Sequence, residues 1–145
     1  MELQILLVAT LFSILAMTGF SIFITYITKC ECREPVLLAR LVNTWTGKEI
    51  HGTSSYIIGW FIHYSIGLFF MFFYDILWQN IGASNLFWTS LIFGAVIGTI
   101  GILGWMIIFR LFPTLPRLNY KLYYSQLFFA HIIFSVVAFL VYFLF

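Results

Sequence analysis

The chain has 145 residues, of which 63% are hydrophobic, 21% aromatic and only 8% charged. Soluble domains carry about 25% charged residues, so this composition excludes an ordinary soluble enzyme or binding domain. The net charge is only +2, and without a folded basic surface the sequence gives no reason to expect a nucleic-acid partner. The composition predicts an integral membrane protein whose main partner is the lipid bilayer.

Four apolar stretches are each long enough to cross a bilayer, which takes about 20 residues in a helix. All are longer than the roughly ten residues of a membrane β-strand. In lipid the backbone must satisfy its hydrogen bonds internally, so these stretches predict an all-α, up-and-down bundle of four helices. The spans cover residues 3–28, 56–78, 86–109 and 122–145, and the whole chain, 1–145, is expected to be one transmembrane domain.

The first span, Leu3–Thr28, differs from a secretory signal peptide in three ways. It has no Lys or Arg before it, its apolar run is longer than the core of a signal peptide, and no small-residue cleavage site follows. We therefore expect this span to be retained as a membrane helix.

The basic residues are distributed on one side of the predicted bundle. All seven fall in or beside the loops that join spans one to two and three to four, namely Lys29, Arg33, Arg40, Lys48, Arg110, Arg117 and Lys121. Because cytoplasmic loops are enriched in Lys and Arg, this asymmetry predicts that both termini lie outside. The expected location is the inner (cytoplasmic) membrane, as a multi-pass protein.

The first basic loop contains two further features. Pro35 opens a short run, Val36–Val42, in which apolar residues surround Arg40, a pattern typical of a helix that lies along the cytoplasmic membrane surface. Before it, Cys30 and Cys32 have the C-x-C spacing that can bind a soft metal ion. In the reducing cytoplasm they can equally be two free thiols.

Spans two and four contain the same pattern around a histidine. Tyr56, His63, Gly67 and Tyr74 follow one another at steps of 7, 4 and 7, and Tyr124, His131, Ser135 and Tyr142 repeat those steps. Both spans start on the same side, so the histidines are predicted to lie at equal depth. Because the two spans are diagonal in an up-and-down bundle, both imidazoles are expected to face one central cavity.

Three interpretations of His63 and His131 are open from the sequence. The two side chains can ligate one haem b as a bis-imidazole pair. They can bind a metal ion or relay protons, with Tyr64 as a further polar group, because ionisable residues inside a membrane are often functional. They can also be structural, forming hydrogen bonds between helices. Asp75, the one acid within a predicted span, is a candidate for cation or proton binding, or a residue in headgroup water.

Small residues mark the faces on which the helices are expected to pack. Two of them, Gly59 and Gly67, lie four residues to either side of His63, and span three carries a stripe at steps of 4, 3 and 3, formed by Gly94, Gly98, Gly101 and Gly104. Such residues let helices approach closely. The same bare faces also leave room for a bound ligand.

Three stretches, HGTSSYIIGWFIHYSIGLFF, GAVIGTIGILGW and FFAHIIF, together resemble a group of small, uncharacterised four-span bacterial integral membrane proteins. In that group a His-Tyr-x-x-Gly helix is followed by a glycine-rich helix and a last helix with His-x-x-Phe, here His63, Tyr64 and Gly67, then His131 and Phe134. The resemblance covers roughly residues 30–140 and departs from the pattern at Ser135, where glycine is usual. It implies the fold and no activity.

The sequence predicts no catalytic residue, because it lacks a nucleophile–base pair, a glycine-rich phosphate loop and paired catalytic carboxylates. Enzyme chemistry would therefore require a cofactor. Two functions are open: a ligand-holding or transport-related bundle built around His63 and His131, and a non-enzymatic scaffold or accessory subunit in which the histidines are structural. The second would make the chain part of a homo-oligomer or a larger membrane complex.

Overall fold

The structure is a computed structural model that describes residues 2–47, 53–80, 86–113, 115 and 118–144. Over these residues the chain forms five α-helices: α1 (Leu3–Thr28), α2 (Glu34–Thr46), α3 (Thr53–Asn80), α4 (Leu86–Leu111) and α5 (Tyr120–Leu144). Two of the basic loop residues, Lys48 and Arg117, lie outside the described residues.

Four of the helices, α1, α3, α4 and α5, are long and apolar enough to span a membrane. Their bounds lie within three residues of the predicted spans, and α1 coincides with its prediction. The predicted all-helical class and the four apolar helices are therefore confirmed. The agreement follows from composition, because runs of more than 20 apolar residues without proline have few alternatives to a helix.

The membrane-length helices α1 and α3 run in opposite directions. In α1 and α3, Thr18 is hydrogen-bonded to His63, and Ile14, one turn earlier, meets Gly67, one turn later. The contacts therefore move backward along α1 as they move forward along α3. The close helix pairs among the described residues are α1 with α3 and α5, α2 with α3, and α4 with α5.

The two histidine-bearing helices, α3 and α5, run in the same direction and meet inside the bundle. The Phe70 ring packs edge-on against His131, with ring centroids 6.4 Å apart. Further along both helices in the same direction, Trp78 packs on Tyr142 at 4.5 Å. The matched patterns of spans two and four thus face each other across the bundle through their side chains.

Helix α2 is longer than the run Val36–Val42 that the sequence indicated. It begins at Glu34 with Pro35 in its first turn, where the missing N–H of proline is not needed for the helix. It ends at Thr46 and is capped by Gly47, whose φ of 64° is the left-handed conformation that glycine adopts readily. The start of α2 packs against α3, because Gly59 has no side chain and admits the Pro35 carbonyl.

The glycine stripe of α4 faces α5 along most of its length. A Cβ placed on Gly94 would lie 2.5 Å from the nearest atom of α5, and one on Gly98 would lie 3.2 Å away. Gly101 lies against the His131 ring, whereas the Cβ position of Gly104 has nothing within 4 Å. Close packing therefore accounts for three of the four glycines, and the fourth faces open space.

Candidate functional site: a cavity between two buried histidines

His63 and His131 line a single cavity of about 180 Å³ inside the bundle. All five helices contribute to its walls, which are mainly apolar, and its titratable side chains are the two imidazoles and the carboxyl of Glu34. A cavity of this size has room for several water molecules or for one molecule of about the size of benzene.

The cavity lies where α3 and α4 both supply walls without forming one of the close helix pairs. Glycines reduce the side-chain volume on these walls: Gly67 on α3, and Gly101 and Gly104 on α4. Small residues at these positions therefore keep the space open, whereas larger side chains would fill it.

The His63 side chain is held by a contact with α1. Its Nε2 atom lies 3.2 Å from the hydroxyl oxygen of Thr18, and both residues are buried. The Trp60 ring, 6.3 Å from the imidazole between centroids, packs edge-on against it. A hydroxyl can donate to or accept from a ring nitrogen, so this contact orients the ring and allows either neutral tautomer.

The His131 side chain has a defined tautomer when it is neutral. Its Nδ1 lies 2.8 Å from the carbonyl oxygen of Leu127, and because a carbonyl only accepts, Nδ1 must donate. The lone pair is then on Nε2. A Cβ at position 101 would lie 3.1 Å from Cε1 of this ring, so Gly101 provides the space in which the imidazole sits.

Ser135 connects the two histidine-bearing helices. The Tyr74 hydroxyl donates a hydrogen bond to Ser135 Oγ, and Ser135 Oγ donates to the carbonyl oxygen of His131 at 2.9 Å. Tyr74 is completely buried, as expected for a phenol whose hydroxyl is hydrogen-bonded. The serine found where the resemblance leads one to expect glycine therefore has a clear structural role.

A second polar cluster, which the sequence analysis did not identify, lies at the α2 end of the cavity. Glu34 Oε1 accepts hydrogen bonds from Ser21 Oγ at 3.2 Å and from Gln126 Nε2 at 3.3 Å. Burial raises the pKa of Glu34 to about 7, in spite of hydrogen bonds that favour the carboxylate. The sequence did contain a signal: Gln126 is the one side-chain amide within α5.

The other predicted site residues lie away from the cavity. The Tyr64 hydroxyl donates to the carbonyl oxygen of Leu7 at 3.2 Å, at an exposed position. Asp75 accepts a hydrogen bond from Gln79 at 3.0 Å, also at an exposed position near the end of α3. The structure therefore brings the two histidines together and leaves Tyr64 and Asp75 outside their cavity.

The surroundings of the cysteine pair favour free thiols. Cys32 is buried in an apolar cluster with Leu37 and Trp105, and burial together with the neighbouring Cys30 raises its pKa to about 12. A neutral thiol is a poor metal ligand. Within the described part of the chain, no group of three or more His, Cys, Asp or Glu side chains is arranged to hold a metal ion.

Comparison of the chain with protein-family models, with curated proteins and with solved structures found no match.

Proposed function

We propose that this chain is a transport-related membrane protein in which His63 and His131 relay protons across a hydrated central cavity. The supporting observation is that both imidazoles line one cavity of about 180 Å³ together with a carboxyl group. Imidazole and carboxyl groups exchange protons readily, and such groups form the proton relays of membrane pumps and transporters. The lone pair on Nε2 of His131 provides a proton acceptor on one side of this space.

The volume of the cavity and the small number of metal-ligating side chains favour this proposal over haem binding and metal binding. Pockets that hold cofactors or drug-sized ligands have volumes of about 300–1,000 Å³, and a haem b would need more space than this cavity has. A metal ion held by protein ligands alone is not supported, since the described residues contain no group of three suitable side chains. Water and protons fit without rearrangement.

The relay is tested by proton flux into liposomes that contain the purified full-length protein and a pH-sensitive dye. A potassium diffusion potential drives the flux. We expect flux above that of protein-free liposomes, and we expect His63→Gln and His131→Gln each to remove most of it, because each interrupts the chain of proton carriers. Gly104→Val should also reduce the flux by filling the cavity while both histidines are retained.

Two matched controls separate this effect from a general loss of structure. Tyr64→Phe removes a hydroxyl that bonds to Leu7 outside the cavity, and Gly19→Val adds a side chain where no atom lies within 4 Å of the Cβ position; both should retain the flux. If neither histidine substitution alters the flux, the imidazoles are structural and the scaffold function replaces the relay. A Soret absorption band that either substitution abolishes would replace it with haem binding.

We further propose that the protein lies in a bacterial cytoplasmic membrane with both termini outside and α2 along the cytoplasmic surface. The support is the position of the basic side chains, since Lys29, Arg33 and Arg40 follow α1, Arg110 ends α4 and Lys121 begins α5. These positions share one end of an up-and-down bundle. Positive charge concentrated at one end is retained in the cytoplasm.

The orientation is tested by labelling introduced cysteines with a membrane-impermeant maleimide in intact cells. The background is Cys30→Ala, because Cys32 is fully buried. We expect Asn80→Cys to be labelled from outside, whereas Lys48→Cys is labelled only after the membrane is opened. The reverse labelling pattern would show that the termini lie in the cytoplasm and that the proposed orientation is wrong.

A further inference from the structure

The carboxyl group of Glu34 is enclosed by three helices. Glu34 is 3% exposed and begins α2, while its hydrogen-bond partners Ser21 and Gln126 come from α1 and α5. Gln126 Nε2 also lies 2.5 Å from Ser21 Oγ, so the Gln126 amide contacts both Ser21 and Glu34. Three helices therefore converge on one carboxyl oxygen, Oε1.

The remaining oxygens of this cluster are buried acceptors without donors. Among the described residues, Glu34 Oε2 and Gln126 Oε1 have no hydrogen-bond partner, and both atoms are inaccessible. The hydroxyl of Tyr123, three residues before Gln126 on α5, is also buried without a partner. A buried acceptor without a partner destabilises the folded state, and most buried polar groups in proteins do have a partner.

The chemistry of the cluster specifies what would satisfy it. Carboxylate and amide oxygens are acceptors only, and they therefore need a donor or a positive charge. The oxygens belong to carboxylate, amide and hydroxyl groups, the ligand types that hard cations prefer. One carboxylate supplies one negative charge, so a divalent ion would leave an uncompensated charge in an apolar surrounding, whereas a monovalent ion would not.

We propose that Glu34 and Gln126, with the hydroxyl of Tyr123 beside them, form a binding site for a small monovalent metal cation such as Na⁺. The site lies where the start of α2 contacts α1 and α5. An occupied site therefore links α2 to the bundle. This proposal goes beyond the histidine relay and does not depend on it, because its ligands are different side chains.

The charged and titratable groups around Glu34 are few. In the preceding segment, Glu31 is paired with Arg33 at 2.7 Å and Cys32 is a buried thiol. His131 of α5 and His63 of α3 line the same cavity as Glu34. Tyr123 of α5 is close enough for the charge of Glu34 to act on its buried hydroxyl. Arg40 lies on α2 itself and is exposed. The cation must therefore compete mainly with the proton of Glu34, which predicts tighter binding above the Glu34 pKa than below it.

The test measures the melting temperature of the detergent-purified, full-length protein while NaCl replaces choline chloride at constant ionic strength. Above pH 7 we expect a saturating rise of several degrees with Na⁺, because a ligand that binds only the folded state stabilises it by mass action. Well below pH 7 the rise should be much smaller. KCl and LiCl in place of NaCl report the size preference of the site.

Substitutions locate the effect. Glu34→Gln removes the charge but keeps an oxygen for Ser21 and Gln126, and it should abolish the Na⁺ response. Gln126→Met, which removes the amide oxygen at similar length, should weaken it. Glu31→Gln changes the carboxylate paired with Arg33 and should retain the response. Binding of radioactive Na⁺ to the wild-type protein, competed by unlabelled Na⁺, gives a readout that needs no variant to fold.

Two results would overturn the cation site. If Na⁺ neither raises the melting temperature nor binds at any pH, the cluster holds only a proton or a water molecule. If Glu34→Gln responds to Na⁺ as the wild-type does, any cation binds elsewhere. The histidine relay is judged separately, because His63→Gln and His131→Gln should keep the Na⁺ response even as they lose proton flux.

Discussion

Gly59→Leu is expected to separate α2 from α3 and to cause a large loss of stability. A Cβ at this position would overlap the Pro35 carbonyl oxygen and would lie 3.2 Å from the Cβ of Ala39. Because the overlap is with backbone, no side-chain rotation relieves it and the helices must move apart. Overpacking of this kind costs about 1–3 kcal/mol or more, and we expect the upper end of that range, measured as a lowered melting temperature in detergent.

Gly19→Leu is the matched control for this substitution. Gly19 is also a helical glycine, but its Cβ position has no atom within 4 Å, so the added side chain should leave the melting temperature nearly unchanged. Because Pro35 adjoins Glu34, the Gly59 variant should also lose the Na⁺ response of the cation site. A melting temperature equal to that of the wild-type would mean that α2 does not dock on α3.

Glu34→Gln is expected to remove a pH dependence from the stability of the protein. In the folded state burial raises the pKa of Glu34 from 4.5 to about 7. Between these values the unfolded chain releases the proton while the folded chain keeps it, so wild-type stability falls as pH rises through this window and levels off above pH 7. The shift corresponds to a fall of about 3 kcal/mol in the free energy of unfolding. The glutamine variant cannot titrate at this position, so its stability should not show this fall.

The measurement compares the melting temperatures of wild-type and variant from about pH 4.5 to about pH 8.5, a range that spans the unfolded and folded pKa values of Glu34. Choline chloride is the salt, so that no small cation offsets the charge. The difference between the two profiles isolates Glu34 from every other titrating group. Asp75→Asn removes a carboxyl that is hydrogen-bonded to Gln79 at an exposed position, and it should keep the wild-type fall. Parallel profiles for wild-type and Glu34→Gln would show that the pKa of Glu34 is the same in the folded and unfolded states, so that burial does not raise it.

The helices were predictable because the signal for them is local. A run of apolar residues longer than about 20 without proline selects a helix whatever surrounds it, and α1 matches its predicted span, Leu3–Thr28. The short helix α2 was located but predicted too short, by two residues at its start and by four at its end. In the structure Pro35 lies within the first turn and Glu34 opens the helix.

The histidine pair was predictable from its repeat, whereas the surroundings of the pair were not. Equal steps along spans two and four indicated two imidazoles at one depth, and the structure gives them one cavity. Tyr64 was grouped with them because it is adjacent to His63 in sequence. Adjacent residues on a helix point about 100° apart, however, and the Tyr64 hydroxyl bonds to Leu7 instead.

The sequence by itself determined that this chain forms long apolar helices, four of them among the described residues, and that two of these carry a histidine in the same pattern. These properties follow from composition and period, which act within one helix. Only the tertiary structure decided that Glu34, Ser21 and Gln126 share a cluster, since 92 positions separate Glu34 from Gln126 along the chain. Such a contact depends on how closely helices approach, which small residues such as Gly59 set through packing between distant segments.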